Sequence, residues 1–92
     1  MSVAKKEYKR ITVKSLVEMK SRGEKISMLT AYDYTSTQFA EAAGIPLLLV
    51  GDSLGMVVMG YESTIPVTLE DILYHTKIVS RASRHSMVIA DM

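Results

Sequence analysis

A parallel α/β sheet is the fold class this sequence predicts, and three observations point to it. Two short stretches, Leu47-Leu48-Leu49-Val50 and Met87-Val88-Ile89-Ala90, are continuously apolar, as strands covered on both faces must be. Each runs straight into an acidic tip: Gly51-Asp52-Ser53-Leu54-Gly55 follows the first and Asp91 the second. The intervening segments carry helix-start signals and helical apolar spacing, and buried strands alternating with amphipathic helices are the signature of a parallel sheet.

Each element follows from its residues. Thr12 is placed to cap a leading helix over 12–22, with Val13, Leu16, Val17 and Lys20 at helical spacing and Gly23 able to take a left-handed stop. Residues 26–30 read as a brief strand, followed by the loop Ala31-Tyr32-Asp33. Thr35-Ser36-Thr37-Gln38 has capping-box spacing, so the next helix is expected to start from a Thr35 cap and run through Phe39, Ala40 and Ala43 to a stop at Gly44. After the strand at 47–50 come an apolar run, Met56 to Met59, and a turn region around Gly60 and Pro66. Thr68, with Asp71 three residues on, opens a last helix. Its apolar stripe is Leu69, Ile72, Leu73 and Val79, of which Ile72, Leu73 and Val79 should be buried against the sheet while Glu70, Lys77, Arg81 and Arg84 face water.

The organisation is a single unit over 1–92: a basic arm at 1–11, the leading helix at 12–22, and a βαβαβ run over 26–92 with three strands and two helices. Three strands and one leading helix neither close a barrel nor cover both faces of a sheet. The sequence therefore reads as part of a larger unit, cut at the tip of a strand at Met92.

Composition narrows the function classes. With 48% hydrophobic and 23% charged residues the chain is globular, not disordered. The longest apolar stretch, at 45–50, falls far short of the roughly 20 residues of a membrane-spanning helix. The opening MSVAKKEYKR has no apolar core of a secretory signal. Absence of cysteine excludes disulfides and thiolate metal sites and fits a cytoplasmic location. Residues 1–25 hold eight Lys or Arg against three Glu, a local excess of +5 that leaves −4 for the rest. Without interleaved aromatics or a recognition motif, that arm reads as a solvated face and not as a nucleic-acid or membrane contact.

Chemistry belongs at the C-terminal ends of parallel strands, because helices occupy the faces. Asp33, Asp52 and Asp91 fall there. Neighbouring strands lie about 4.8 Å apart, so Asp52 and Asp91 on adjacent tips would share one hard cation through their oxygens, and Mg²⁺ suits such a set. The competing reading makes the same acids helix caps. Asp33, just ahead of the Thr35 cap, is assigned to the helix dipole. Tyr32 and Ser53 offer hydroxyls at the same edge, either for a ligand or for local backbone. His75 and His85 lack metal-ligand spacing and read as surface or helix-end residues. Gly51, Gly55 and Gly60 match neither phosphate-loop nor dinucleotide patterns, and the seven methionines read as core filler.

Three strings carry a family resemblance: KISMLTAYDYTS at 25–36, GIPLLLVGDSLGMVVMGYESTIPVTLEDILYHT at 44–76, and VIADM at 88–92. Together they resemble the opening third of the ketopantoate hydroxymethyltransferase family, with VGDSLGMVVMGY and TIPVTLEDILYHT the most specific parts. The resemblance implies the N-terminal part of a TIM (β/α)8 barrel of the phosphoenolpyruvate/pyruvate-binding type, with the leading helix plugging the barrel bottom. It implies Asp52 and Asp91 as Mg²⁺ ligands, and Asp52, Ser53 and Asp91 as contacts to the 2-oxo acid. The implied reaction moves a hydroxymethyl group from 5,10-methylenetetrahydrofolate to 3-methyl-2-oxobutanoate, giving ketopantoate for pantothenate synthesis in a homo-oligomer, often a decamer. The family's substrate-binding Lys, a further acidic metal-shell residue and the Glu that serves as general base are expected beyond Met92, so no catalytic base is assigned here and these residues alone are expected to be inactive. Three other readings remain open: another Mg²⁺-dependent 2-oxo acid lyase or mutase of the same barrel superfamily, a receiver-like signalling domain, which strand order would separate, and a non-catalytic half-barrel that only packs against a partner.

Overall fold

The computed structural model describes residues 9–92, so most of the basic arm lies outside the described residues. Helix α1 (Val13–Ser21) starts at Thr12 as expected, through reciprocal bonds in which the Ser15 amide donates to the Thr12 hydroxyl and the Thr12 amide to the Ser15 hydroxyl. Gly23, at φ +72°, takes the left-handed turn that follows it. No residue of α1 is buried. Strand β1 (Met28–Thr30) is shorter at its start than the expected 26–30.

Helix α2 (Tyr34–Ala42) corrects the expected cap. Asp33, not Thr35, is the capping residue: its backbone is extended and its Oδ1 accepts from the Ser36 amide at 2.8 Å and the Ser36 hydroxyl at 2.6 Å. A carboxylate is the stronger acceptor at a helix N-terminus, so the helix begins two residues earlier and Thr35 lies inside its first turn. Strand β2 (Leu47–Val50) follows. A short helix, α3 (Leu54–Val57), then adds a third helix to the two expected over 26–92. Leu54 anchors it, fully buried, while Met56 to Met59 are exposed. Helix α4 (Leu69–Ala82) opens on the expected Thr68–Asp71 capping box and leads to β3 (Met87–Ala90).

The three strands form one parallel sheet in the order β1-β2-β3, with Leu29 beside Leu48 and Val50 beside Ala90. A receiver-like sheet would put its first strand between the second and third. Here β2 is central, which differs from that order. Helix α4 packs on α2, β2 and β3, and a single core of Ala31, Ala40, Leu48, Val50, Leu54, Ile72 and Val79 fills the layer between helices and sheet. The buried α4 stripe is narrower than expected: Ile72 and Val79 are buried as expected, but Leu73 is exposed, and so is Leu69. The buried line runs through Ile72, Val79 and Ala82. Glu70, Lys77, Arg81 and Arg84 are exposed as expected.

At the opposite end of the sheet, the turn over 83–86 gathers the N-terminal segment. Arg10 donates to the Ser83 carbonyl at 2.7 Å and the Ser86 carbonyl at 3.0 Å, and the Ile11 amide donates to the His85 carbonyl at 2.7 Å. His85 donates in turn from Nδ1 to the Lys9 carbonyl at 2.7 Å. The described end of the basic arm is thus docked by Arg10 and is not merely a solvated face.

Candidate functional site

The tips of β2 and β3 are locked together one residue past the strands, because the Asp91 amide donates to the Val50 carbonyl at 2.9 Å. From there the chain after β2 turns at once, with the Leu54 amide on the Gly51 carbonyl and the Gly55 amide on the Asp52 carbonyl. The result brings Asp52 and Asp91 into one cleft of about 300 Å³, walled by Thr64, Val67, Thr68, Leu69, Ile72 and Met92. Both acids are exposed. Within the described residues, neither carboxylate accepts a hydrogen bond or forms an ion pair. Asp52 does not cap α3 either, since Ser53 holds that position and makes no side-chain cap bond.

Two unpaired carboxylates on adjacent strand tips are a hard-oxygen donor set, which suits Mg²⁺ with its remaining positions left to water and ligand oxygens. No cluster of three or more His, Cys, Asp or Glu occurs among the described residues, so two protein ligands are what this part of the site offers.

A second cleft, about 580 Å³, opens at the β1 tip and is lined by Tyr32, Asp33, Ser36, Ser53, Val57 and Val58, with Thr30 and Ala31 at its base. The Tyr32 and Ser53 hydroxyls are hydrogen-bonded to one another across it. The structure therefore separates the three residues named as substrate contacts: Asp52 and Asp91 share one cleft, and Ser53 faces the neighbouring one. Asp33 is committed to α2. Donation from the Ser36 hydroxyl and then the Ser36 amide holds its carboxyl below the ordinary aspartate value, with a smaller pull from His75.

Residues 10–92 match the family described as ketopantoate hydroxymethyltransferase. The chain belongs to that family. Among its relatives, a 3-methyl-2-oxobutanoate hydroxymethyltransferase of Christiangramia forsetii is 61% identical over 92 residues, covering 100% of this chain and 34% of the relative. One from Carboxydothermus hydrogenoformans is 65% identical over 83 residues, or 90% of the chain and 30% of the relative. One from Flavobacterium johnsoniae is 55% identical over 92 residues, again 100% and 34%. The chain spans about a third of the length of the curated relatives it matches.

The parallel α/β architecture fits an α/β part of a member of that family. No helix among the described residues is long and apolar enough to cross a membrane. Three features escaped the sequence reading. Glu41 accepts from three successive amides, His75 donates to the backbone of the β1 tip, and Gly55 leaves no room for a side chain. Only Gly55 gave a signal, as a glycine in the loop after a buried strand; the other two depend on contacts more than 40 residues apart.

Proposed function

We propose that this chain supplies the metal corner of an enzyme that transfers a hydroxymethyl group from 5,10-methylenetetrahydrofolate to 3-methyl-2-oxobutanoate, giving 2-dehydropantoate (ketopantoate). The observation that carries the reading is the shared cleft at the tips of β2 and β3, which Asp52 and Asp91 both line without a partner among the described residues. When bound there, Mg²⁺ would polarise the ketone and carboxylate oxygens of a 2-oxo acid and make its C3 proton easier to remove. Asp52 and Asp91 would hold the ion. Ser53, beside Asp52 and paired with Tyr32, would present a hydroxyl that orients the acid from the adjoining cleft. Within this proposal the general base and the barrel-closing strands belong to the complete protein, which works as a cytoplasmic homo-oligomer on a TIM-type scaffold.

Proton NMR in deuterated buffer, following loss of the C3 signal of 3-methyl-2-oxobutanoate, tests the reading. The complete protein should exchange that proton only with a divalent ion, and the 92 residues alone should not exchange it, because exchange needs an electrophile and a base together. Asp52→Asn or Asp91→Asn in the complete protein should weaken Mg²⁺ binding by at least about tenfold and be partly rescued by excess Mg²⁺. Metal-independent exchange would remove both aspartates from these roles. Exchange by the 92 residues alone would place a base within them.

A further inference from the structure

The backbone at the tip of β1 has a gap in its hydrogen bonding, and a histidine from α4 fills it. The last ladder bond of β1 is the Ala31 amide on the Leu49 carbonyl at 3.0 Å, and α2 begins with the Asp33 cap. Tyr32 lies between the two, with a carbonyl that neither the sheet nor the helix engages. His75, on the second turn of α4 and half-buried, brings Nδ1 to 2.7 Å from that oxygen. A carbonyl only accepts, so Nδ1 carries the proton. The imidazole also stands edge-on to the Tyr32 ring, with centroids 6.4 Å apart at 82°, and is braced from behind by Tyr74 at 5.4 Å and 84°. Tyr32 is thus gripped at its carbonyl and its ring, while its hydroxyl reaches across to Ser53, the neighbour of Asp52.

We propose that His75 is a positioning residue: its Nδ1–H on the Tyr32 carbonyl, with the edge contact to the Tyr32 ring, sets the Tyr32–Ser53 hydroxyl pair at the place where the pair orients the 2-oxo acid. The inference rests on the function proposed above for its kinetic consequence, but not for its structural one. A histidine suits the position because one donor and one flat ring edge are needed at the same point. Asn keeps a donor near the place of Nδ1, and Phe keeps a ring and loses the donor.

The test uses the complete protein with Mg²⁺ and compares His75→Phe with His75→Asn. Losing the orientation of a hydroxyl that touches the acid in both ground and transition states raises KM and leaves kcat nearly alone. For C3-proton exchange, H75F should raise KM roughly five- to tenfold with kcat within about twofold, and H75N should return KM to within about threefold of the parent. A role in stability alone would lower the active fraction, seen as a lower apparent kcat at unchanged KM. That pattern, or H75N failing as badly as H75F while folded, would overturn the proposal.

If the parent protein exchanges no C3 proton, the proposed function fails and the positioning claim is decided by spectroscopy. The ¹⁵N spectrum of His75 must then show a protonated Nδ1, and the Tyr32 carbonyl ¹³C signal must shift in H75F, which removes the donor, and much less in H75N, which keeps one. A His75 protonated only at Nε2, or Tyr32 signals indifferent to both substitutions, would refute it. Should H75F not fold, H75N and the ¹⁵N spectrum of the parent still decide between these outcomes.

Discussion

Glu41 is charged, half-buried and far from either cleft, yet a whole turn converges on it. Its carboxylate accepts from the Arg84 amide at 2.8 Å, the His85 amide at 3.0 Å and the Ser86 amide at 3.0 Å. Burial pushes this carboxyl up, but the three amides, with help from the Ser83 hydroxyl, outweigh burial and hold it below the ordinary glutamate value. The sign of the pH effect follows. A carboxyl whose folded pKa lies below its unfolded value, about 4.3, gives stability that is fully present above that value and lost as pH falls through the folded one. Glu41→Gln keeps one acceptor oxygen and turns an NH₂ group toward the amides, so it should cost about 1–3 kcal/mol at neutral pH. Thermal unfolding of parent and variant from pH 7 down to pH 3 should show the gap closing in acid, and a gap that is constant with pH would contradict the assignment. Nothing in the sequence marks Glu41, because its partners are more than 40 residues away. Gly55 was visible but not its reason: a Cβ there would collide with Val67 Cγ2, and Val67 walls the cleft of Asp52 and Asp91. The two aspartates themselves were legible, since an acid placed directly after a buried parallel strand lies at the sheet edge whatever the rest of the fold does.

Among the elements, the helix starts show what local sequence decides and where it is ambiguous. Thr12 with Ser15 and Thr68 with Asp71 each offer one capping residue with a reciprocating partner, and both helices begin where those residues stand. The segment Asp33-Tyr34-Thr35-Ser36-Thr37-Gln38 offers two overlapping solutions. Thr35 has the better box spacing, but Asp33 has the carboxylate, and its choice also lets the Thr37 hydroxyl, fully buried, donate to the Asp33 carbonyl at 2.6 Å. Asp33→Ala should therefore destabilise the protein by about 1 kcal/mol while Thr35→Ala changes it little, as measured by denaturant unfolding. The reverse order would restore the Thr35 cap. The strands were readable because their apolar runs are continuous. Helix α3 was not, because four residues are too few for a period to show, and its single turn is held by the Val58 amide on the Leu54 carbonyl.

Taken whole, the described residues form a slab 18 Å thick, with α4 packed against β2 and β3 and α2 packed against α4. Burial alternates along β2, with Leu48 and Val50 covered by the helices and Leu47 and Leu49 half-exposed on the other side. By register the open face continues through Met28 and Met87 on one row and Ile89 on the next, and Met28 and Ile89 are exposed. The continuous apolar strands promised cover on both faces, and within these residues only one face has it. An uncovered apolar sheet face of this kind is a binding surface for anything apolar, including another copy. The 92 residues expressed by themselves should accordingly bind an apolar dye such as ANS strongly and unfold with weak cooperativity in the calorimeter, because the helix layer alone buries too little to offset the ordering of the chain. Replacing Leu49 and Ile89 by Lys should reduce the dye signal by roughly the share of that face they hold and suppress self-association in sedimentation, while leaving the Leu48–Val50 side of the sheet in place. Weak dye binding by a monomer that melts cooperatively would mean the open face is energetically quiet, and the expectation that a further layer completes this sheet in the complete protein would lose its physical basis.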